Sequence, residues 1–173
     1  MKPHPPADAA DAPAQRAAVR VDRARLELRH GRPIALQSAD EPARWHVLEA
    51  IETLTPARLH EWQAMGLPLQ ALLTAQRLQA LEGRARRQPM AVPLHPSATL
   101  AQLHGVAAVA PHEGEAPVAQ CSAALALGDA APADAAQQGA LALAKRARLL
   151  PALLWASLPP GAAWQRWIDD AQW

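Results

Sequence analysis

Residues 40 to 46 carry side chains that can bind metal ions or phosphate and exchange protons. They supply two carboxylates, one guanidinium and one imidazole, in the order Asp40, Glu41, Arg44 and His46. Carboxylate oxygens are hard ligands for divalent cations, and an imidazole can act as a general base near neutral pH. The segment therefore suggests a catalytic set of Asp40, Glu41 and His46, with Arg44 on phosphate. The competing interpretation is a solvated loop at a strand edge.

A second basic group follows Gly83 and consists of Arg84, Arg86 and Arg87. A guanidinium binds phosphate through a fork of N–H donors, so Arg84 and Arg86 are candidate phosphate-binding residues. The alternative interpretation is that this loop is simply solvated.

The remaining metal-ligand residues form no recognisable site. His95, His104 and His112 are widely spaced in a proline-rich stretch and match no ligand pattern with a known mechanism. Cys121 is the only cysteine, which excludes an intrachain disulfide and a cysteine-cage zinc site. It is expected to be an inert core residue. No bound metal is predicted from these residues.

In the N-terminal third of the chain, a periodic pattern of apolar residues begins near residue 19. Residues 1–18 are rich in Pro, Ala and Asp without periodicity and are predicted to form a flexible arm. Apolar residues at helical spacing then predict a helix over 19–30 that ends at Gly31. The apolar run of residues 34–36 predicts a buried strand.

Two helices with clear start and stop signals follow. Thr55 precedes a proline, as is typical of an N-cap, and an apolar stripe then runs to Gly66. After a predicted strand over 69–73, Thr74 is predicted to be the N-cap of the next helix and Gly83 its end. Strand and helix alternate, which favours an α/β domain.

The second half is less regular until residue 134. Residues 84–117 predict loops with one or two short strands, 122–127 another strand, and 128–133 a loop. Asp134 and Gln137 then have the spacing of a capping box. The helix they begin is predicted to end at Pro151, with one side lined by Ala140, Leu143, Ala147 and Leu150.

A final strand is predicted over 152–158. The C-terminal residues WQRWIDDAQW place apolar side chains on one helical stripe that includes Trp164 and Trp167. A helix there would dock onto the body of the domain or onto a second subunit.

Length and charge narrow the class of protein. The chain has 173 residues, 50% of them hydrophobic, which suits one domain. We expect a single α/β domain over 19–173 with a mixed sheet and flanking helices. A net charge of +1 and no long apolar run predict neither a nucleic-acid nor a membrane partner. The N-terminus lacks the apolar core of a secretory signal, so a cytoplasmic location is expected.

Four segments, in order, resemble the 3,4-dihydroxy-2-butanone 4-phosphate synthase family. GRPIAL at 31–36 is similar to a Gly-Arg-Pro-Val strand entry, and AIETLTPARL at 50–59 to the family's segment around Val-Thr-Pro-Glu. LLTAQRLQAL at 72–81 and the helix and strand of 138–158 complete the match. The string from Ala144 to Ala152 also resembles the synthase-like domain that precedes the cyclohydrolase domain in some bacterial GTP cyclohydrolase II proteins.

The resemblance implies a fold, a dimer and a chemistry. Family enzymes rearrange ribulose 5-phosphate with Mg²⁺, using an acid-rich loop and a metal-binding His, at a site on a homodimer interface. Here the loop corresponds to residues 41–46, in which Glu41 keeps a carboxylate. The metal-binding His falls on Ala136, which cannot act as a ligand.

Three functional hypotheses follow. The first is a catalytically degenerate riboflavin-pathway domain, acting as an accessory or assembly subunit with a GTP cyclohydrolase II or with a second copy of itself, and needing no cofactor. The second is a divergent Mg²⁺-dependent phosphosugar enzyme using Asp40, Glu41 and His46. The third is a phosphosugar-binding module without chemistry.

Overall fold

The computed structural model describes residues 8–108 and 118–160. Six helices lie in these ranges: α1 (Asp8–Arg29), α2 (Pro56–Ala64), α3 (Ala75–Glu82), α4 (Leu100–Ala107), α5 (Val118–Ser122) and α6 (Ala135–Arg146). The strands are β1 (Ile34–Gln37), β2 (Trp45–Ala50), β3 (Gln70–Leu73), β4 (Met90–Pro93), β5 (Ala131–Pro132) and β6 (Ala152–Leu158). Short 3-10 turns occupy Ile51–Thr53 and Leu127–Asp129. None of the described helices is both long and apolar enough to cross a bilayer.

The described strands form one six-stranded sheet in the order β1-β2-β6-β3-β4-β5. The predicted single α/β domain is confirmed, but the predicted mixed sheet is wrong for the described residues, where every pairing is antiparallel. The reason is the position of β6. It lies between β2 and β3, so these two strands run in the same direction without being neighbours.

Side chains alternate across the sheet and pack into two cores. On β2, Val47 belongs to the core covered by α2, α3, α4 and α5. Leu48 belongs to the core under α1 and α6, where it packs with Leu28 and Leu141. The sheet is therefore the middle of three layers.

The predicted capping residues of α2 and α3 are confirmed. The hydroxyl groups of Thr55 and Thr74 each accept a hydrogen bond from a backbone N–H in the first turn of their helix. Gly83 ends α3 with a positive φ of 69°, a conformation that glycine adopts without steric cost. β1 and β3 also match their predicted strands to within one residue.

Helix α1 begins at Asp8 and not near residue 19. The predicted boundary at residue 18 therefore falls inside a continuous helix. The segment is rich in alanine, which has the highest intrinsic helix propensity and needs no amphipathic pattern to become helical. Residues 1–7 lie outside the described ranges, so the flexibility of the arm stays a prediction.

The region from 84 to 133 differs most from expectation. It contains β4, as predicted, but also α4, which the sequence reading missed although Thr99 and Gln102 form its capping box. The strand predicted over 122–127 is wrong. Ala124 and Leu125 are buried without forming a strand, and Leu125 makes only an isolated bridge to Leu94. A short apolar run fits several backbone conformations, so periodicity cannot decide between them.

Helix α6 starts with the predicted capping box of Asp134 and Gln137. It ends at Arg146 rather than at Pro151. The N–H of Leu149 donates to the carbonyl of Ala144 and that of Arg148 to the carbonyl of Lys145, a Schellman motif in which Arg148 has a φ of 59°. The buried face consists of Gln137, Ala140, Leu141, Ala144 and Ala147. Of the predicted stripe, Leu143 and Leu150 are only half-buried.

The last strand is found as predicted, over Ala152–Leu158. The predicted C-terminal helix with Trp164 and Trp167 lies outside the described residues.

Candidate functional site

A group of polar side chains lies where β2 starts, β6 ends and α6 begins. In the register of the sheet, His46 is opposite Ser157, and Trp155 is opposite Gln70 of β3. Alternation along β6 puts Trp155 and Ser157 on the same face, which is the face that α6 covers. We call His46, Gln70, Gln137, Trp155 and Ser157 the polar cluster.

His46 is held on two sides within this cluster. Its Nδ1 atom lies 3.0 Å from Ser157 Oγ in a hydrogen bond, and its ring stacks on the indole of Trp155 with centroids 4.7 Å apart. Burial lowers the pKa of His46 from its usual value, because the imidazolium loses hydration, and the charge of Arg44 acts in the same direction. Asp134 and Glu41 oppose this shift. Burial therefore favours the uncharged form of the ring.

The other members of the cluster connect β3 with α6. The side-chain amide of Gln137 donates to Oε1 of Gln70 at 3.3 Å. Gln137 also accepts from the backbone N–H of Asp134, whose carboxylate accepts from the N–H of Gln137 at 2.8 Å. Trp155 is 1% exposed, and its Nε1 has no hydrogen-bond partner among the described residues. The cluster thus contains one buried donor without an acceptor.

The loop between β1 and β2 carries the other predicted catalytic residues. Glu41 forms an exposed ion pair with Arg44, at 3.0 Å, and its backbone N–H donates to the hydroxyl of Ser38. Asp40 is exposed. His46 lies two residues after Arg44, and the charges of both Glu41 and Arg44 influence its pKa. Glu41, Arg44 and His46 therefore lie at the same end of the sheet, with the imidazole buried and the other two groups in solvent.

The two remaining candidate phosphate ligands have other surroundings. Arg86 donates from Nε and Nη2 to the carboxylate of Glu82, at 2.8 and 2.9 Å, and this bond lowers the pKa of Glu82. Arg84 is exposed in the same loop between α3 and β4. Their described contacts do not include the polar cluster or Arg44, so the three arginines do not form one phosphate site here.

A buried carboxylate that sequence reasoning missed lies on the opposite face of β2. Glu49 is 0% exposed, and its Oε2 accepts from Trp62 Nε1 at 2.7 Å and from Arg58 at 3.3 Å. Burial raises the pKa of Glu49, while the hydrogen bond from Trp62 and the charge of Arg58 lower it. The signal in the sequence is a glutamate inside the buried strand that precedes Arg58 and Trp62.

The residues at this end of the sheet do not fit a protein-held Mg²⁺. That ion prefers octahedral oxygen coordination and is usually bound through carboxylates. Nowhere in residues 8–108 and 118–160 do three His, Cys, Asp or Glu side chains come close enough to hold a metal. Ala136 is half-buried at the position that the resemblance gives to a metal-binding His. Of the scattered histidines, His104 bonds to the carbonyl of Leu54 through Nε2.

Comparison with known proteins places the fold. No family model matches the chain, and no curated protein matches it. Among solved structures, the cation-free form of 3,4-dihydroxy-2-butanone 4-phosphate synthase is 15% identical, with a TM-score of 0.53 over 87% of this chain and 93% of that one. The same enzyme in complex with two magnesium ions is 14% identical, with a TM-score of 0.50 and the same coverage. This chain therefore has the fold of 3,4-dihydroxy-2-butanone 4-phosphate synthase.

Proposed function

We propose that this chain is a catalytically degenerate synthase-like domain that acts as an accessory or assembly subunit in riboflavin biosynthesis. Its partner is a GTP cyclohydrolase II or a second copy of the chain, and its place is the cytoplasm. The observation that carries the proposal is which residues occupy the end of the sheet near the polar cluster. At the end of the sheet where the resemblance expects metal ligands, the His46 ring is bonded to Ser157 and Ala136 replaces a histidine.

The electrostatics of this end of the sheet support the same conclusion. The carboxylate of Glu41 is paired with Arg44, and that of Asp134 caps α6. Both groups are therefore already engaged in contacts of the domain itself. A general base for sugar-phosphate chemistry must instead lie within hydrogen-bond distance of the proton that it removes.

Helix α1 offers a surface for assembly. Val19 and Leu26 lie one heptad apart, so they share a face of the helix, and they are 51% and 45% exposed. Large exposed apolar side chains that cluster on one face are a feature of interaction surfaces. This face is the candidate contact for the partner subunit.

Sedimentation velocity tests the assembly role. The full chain is run alone and with purified GTP cyclohydrolase II, and we expect either a dimer or a complex with the cyclohydrolase. The double variant Val19→Glu/Leu26→Glu should reduce this association, whereas Ala17→Glu, at an exposed position on the opposite side of the same helix, should not. A monomer that binds no cyclohydrolase would refute the accessory role.

Turnover of ribulose 5-phosphate tests the degenerate part of the proposal. We expect no conversion by the full chain at high protein concentration with Mg²⁺ present. Conversion that is abolished by Glu41→Ala would instead support the divergent enzyme that uses Asp40, Glu41 and His46. Conversion that survives both Glu41→Ala and repurification from a different host would refute the loss of activity.

One observation favours a second candidate, a phosphosugar-binding module without chemistry. Among the described residues the buried Nε1 donor of Trp155 has no acceptor. Trp155 is opposite Gln70, which contacts Gln137 in the first turn of α6, and a helix N-terminus favours anions. If such a ligand binds, saturation at about 100 times its dissociation constant should stabilise the protein by ~2.7 kcal/mol. Thermal unfolding with ribulose 5-phosphate measures this, and Trp155→Phe should remove the shift. No shift in the wild-type chain would eliminate the binding module.

A further inference from the structure

A groove with a volume of about 950 Å³ runs between α1 and the edge strand β1. Its apolar lining comes from α1, β1, β2 and α6, and includes Val21, Ala24, Ile34, Leu36, Trp45 and Leu143. Because β1 is the outermost of the described strands, the groove borders a strand edge that none of those strands pairs with. Apolar side chains beside an open strand edge are suited to receive a further segment of chain.

The rim of this groove is positively charged. Arg20 and Arg23 line it, and both are exposed. Within the described ranges neither of them forms an ion pair, whereas their neighbour Arg25 pairs with Asp22 at 3.6 Å. An occupant that carries apolar side chains and carboxylates would therefore match both the floor and the rim.

The end of β6 brings such a segment close to the groove. Leu158 pairs with Trp45, and Trp45 pairs with Gln37 of β1. Trp45 and Gln37 both line the groove. Neighbouring strands lie about 4.8 Å apart, so the chain leaves the sheet roughly 10 Å from β1. The 13 residues from 161 to 173 would span about 20 Å even as a helix, which is enough to reach it.

The composition of that segment fits the groove. It contains Trp164, Trp167 and Ile168, whose spacing is that of one helical stripe, followed by Asp169 and Asp170. We propose that residues 161–173 dock into the groove between α1 and β1. The two tryptophans and Ile168 cover its apolar floor, and the two aspartates face Arg20 and Arg23.

Distance-limited cross-linking in the full chain tests this docking. Val21→Cys is combined with Ile168→Cys, and the protein is treated at low concentration with a bismaleimide that bridges about 10 Å. The matched control combines Ile168→Cys with Arg87→Cys, an exposed position in the loop before β4. Cys121 is buried, and Ile168→Cys alone measures any linkage to it.

We expect the groove pair to give at least tenfold more cross-link within one chain than the control pair. Equal yields, or no cross-link, would overturn the proposal. Cross-links found only between chains would also overturn it, since the groove would then hold the segment of a second copy.

Charge reversal tests the contribution of the rim, with the cross-link between Val21→Cys and Ile168→Cys as the readout. Asp169→Arg/Asp170→Arg should lower the cross-linking yield several-fold, and adding Arg20→Asp/Arg23→Asp should restore it. A yield that is insensitive to both changes would mean that the rim does not recognise the aspartates.

Discussion

The Nδ1 atom of His46 lies 3.0 Å from the Oγ atom of Ser157, its direct partner across the antiparallel pair of β2 and β6. The two residues are far apart in sequence and meet because β6 inserts next to β2. His46 is 7% exposed, so its ring is held where an added proton would be poorly hydrated. The pair therefore couples the stability of the domain to pH.

The first prediction concerns acid sensitivity. The pKa of His46 is lowered in the folded state, chiefly by burial, so below about 6.5 the unfolded chain binds more protons than the folded one. Stability should therefore fall as the pH falls from 6.5 through the folded-state pKa. Urea unfolding between pH 7.5 and 5.5 should show this fall in the wild-type chain and a smaller one in His46→Gln.

His60→Gln is the control for that experiment, because His60 is exposed on α2. This variant should keep the pH dependence of the wild-type chain. If His46→Gln also keeps the pH dependence of the wild-type chain, the loss of stability at low pH does not come from His46.

The second prediction concerns the buried carboxylate. Glu49→Ala removes the acceptor for Trp62 Nε1 and leaves the charge of Arg58 without this partner, which should cost about 3 kcal/mol of unfolding free energy. Glu49→Gln should cost less, since the amide oxygen still accepts from the indole. Denaturant unfolding at pH 7 measures both variants. An equal loss would mean that charge, rather than the hydrogen bond to Trp62, dominates.

The third prediction concerns how the stability of the domain changes with pH because of Glu49. Burial raises the pKa of Glu49, so the folded state holds its proton to a higher pH than the unfolded state does. The wild-type chain should therefore lose stability from this group as the pH rises from about 4.5 through its folded-state pKa. Subtracting the profile of Glu49→Gln isolates this loss. A difference of the opposite sign would contradict the raised pKa.

The fourth prediction concerns the contact between α4 and α5. A Cβ added to Gly105 would lie 2.2 Å from Sγ of Cys121. Gly105→Ala should therefore destabilise the domain by about 1–3 kcal/mol through overpacking, although alanine is the better helix former by about 1 kcal/mol. Chemical unfolding checks this, and combining it with Cys121→Ala should recover part of the loss. Additive effects would exclude a direct clash.

The fifth prediction concerns the end of α6. Arg148 has a left-handed conformation that costs a non-glycine residue about 1–2 kcal/mol, so Arg148→Gly should raise the unfolding free energy by about 1 kcal/mol. Arg146→Gly, inside the helix, should lower it by about 1 kcal/mol. Thermal unfolding of the two variants should give shifts in opposite directions. Two shifts of the same sign would argue against the Schellman motif.

Local signals predicted the elements that depend on nearby residues. The caps at Thr55, Thr74 and Asp134 were recognisable because each cap bonds to a group only three residues away. The end of α6 was not, because a left-handed arginine lacks the glycine that usually marks such a turn. The strand predicted over 122–127 failed because burial of Ala124 and Leu125 does not require a strand.

The residues of the candidate site also differ in whether the sequence identified them. His46 was identified from its own chemistry and from the acidic loop before it. Glu49 and Trp155 were not, because their importance depends on burial and on partners that the chain brings from elsewhere.

The sequence by itself determined the single α/β domain, the helices capped by Thr55, Thr74 and Asp134, and the last strand, since hydrophobic period and capping chemistry are local properties. Only the tertiary structure decided that β6 is central, that the described sheet is antiparallel and that His46 meets Ser157. Strand order depends on which apolar faces pack best together over the whole chain. The outcome of this competition among distant segments cannot be predicted from the spacing of neighbouring residues.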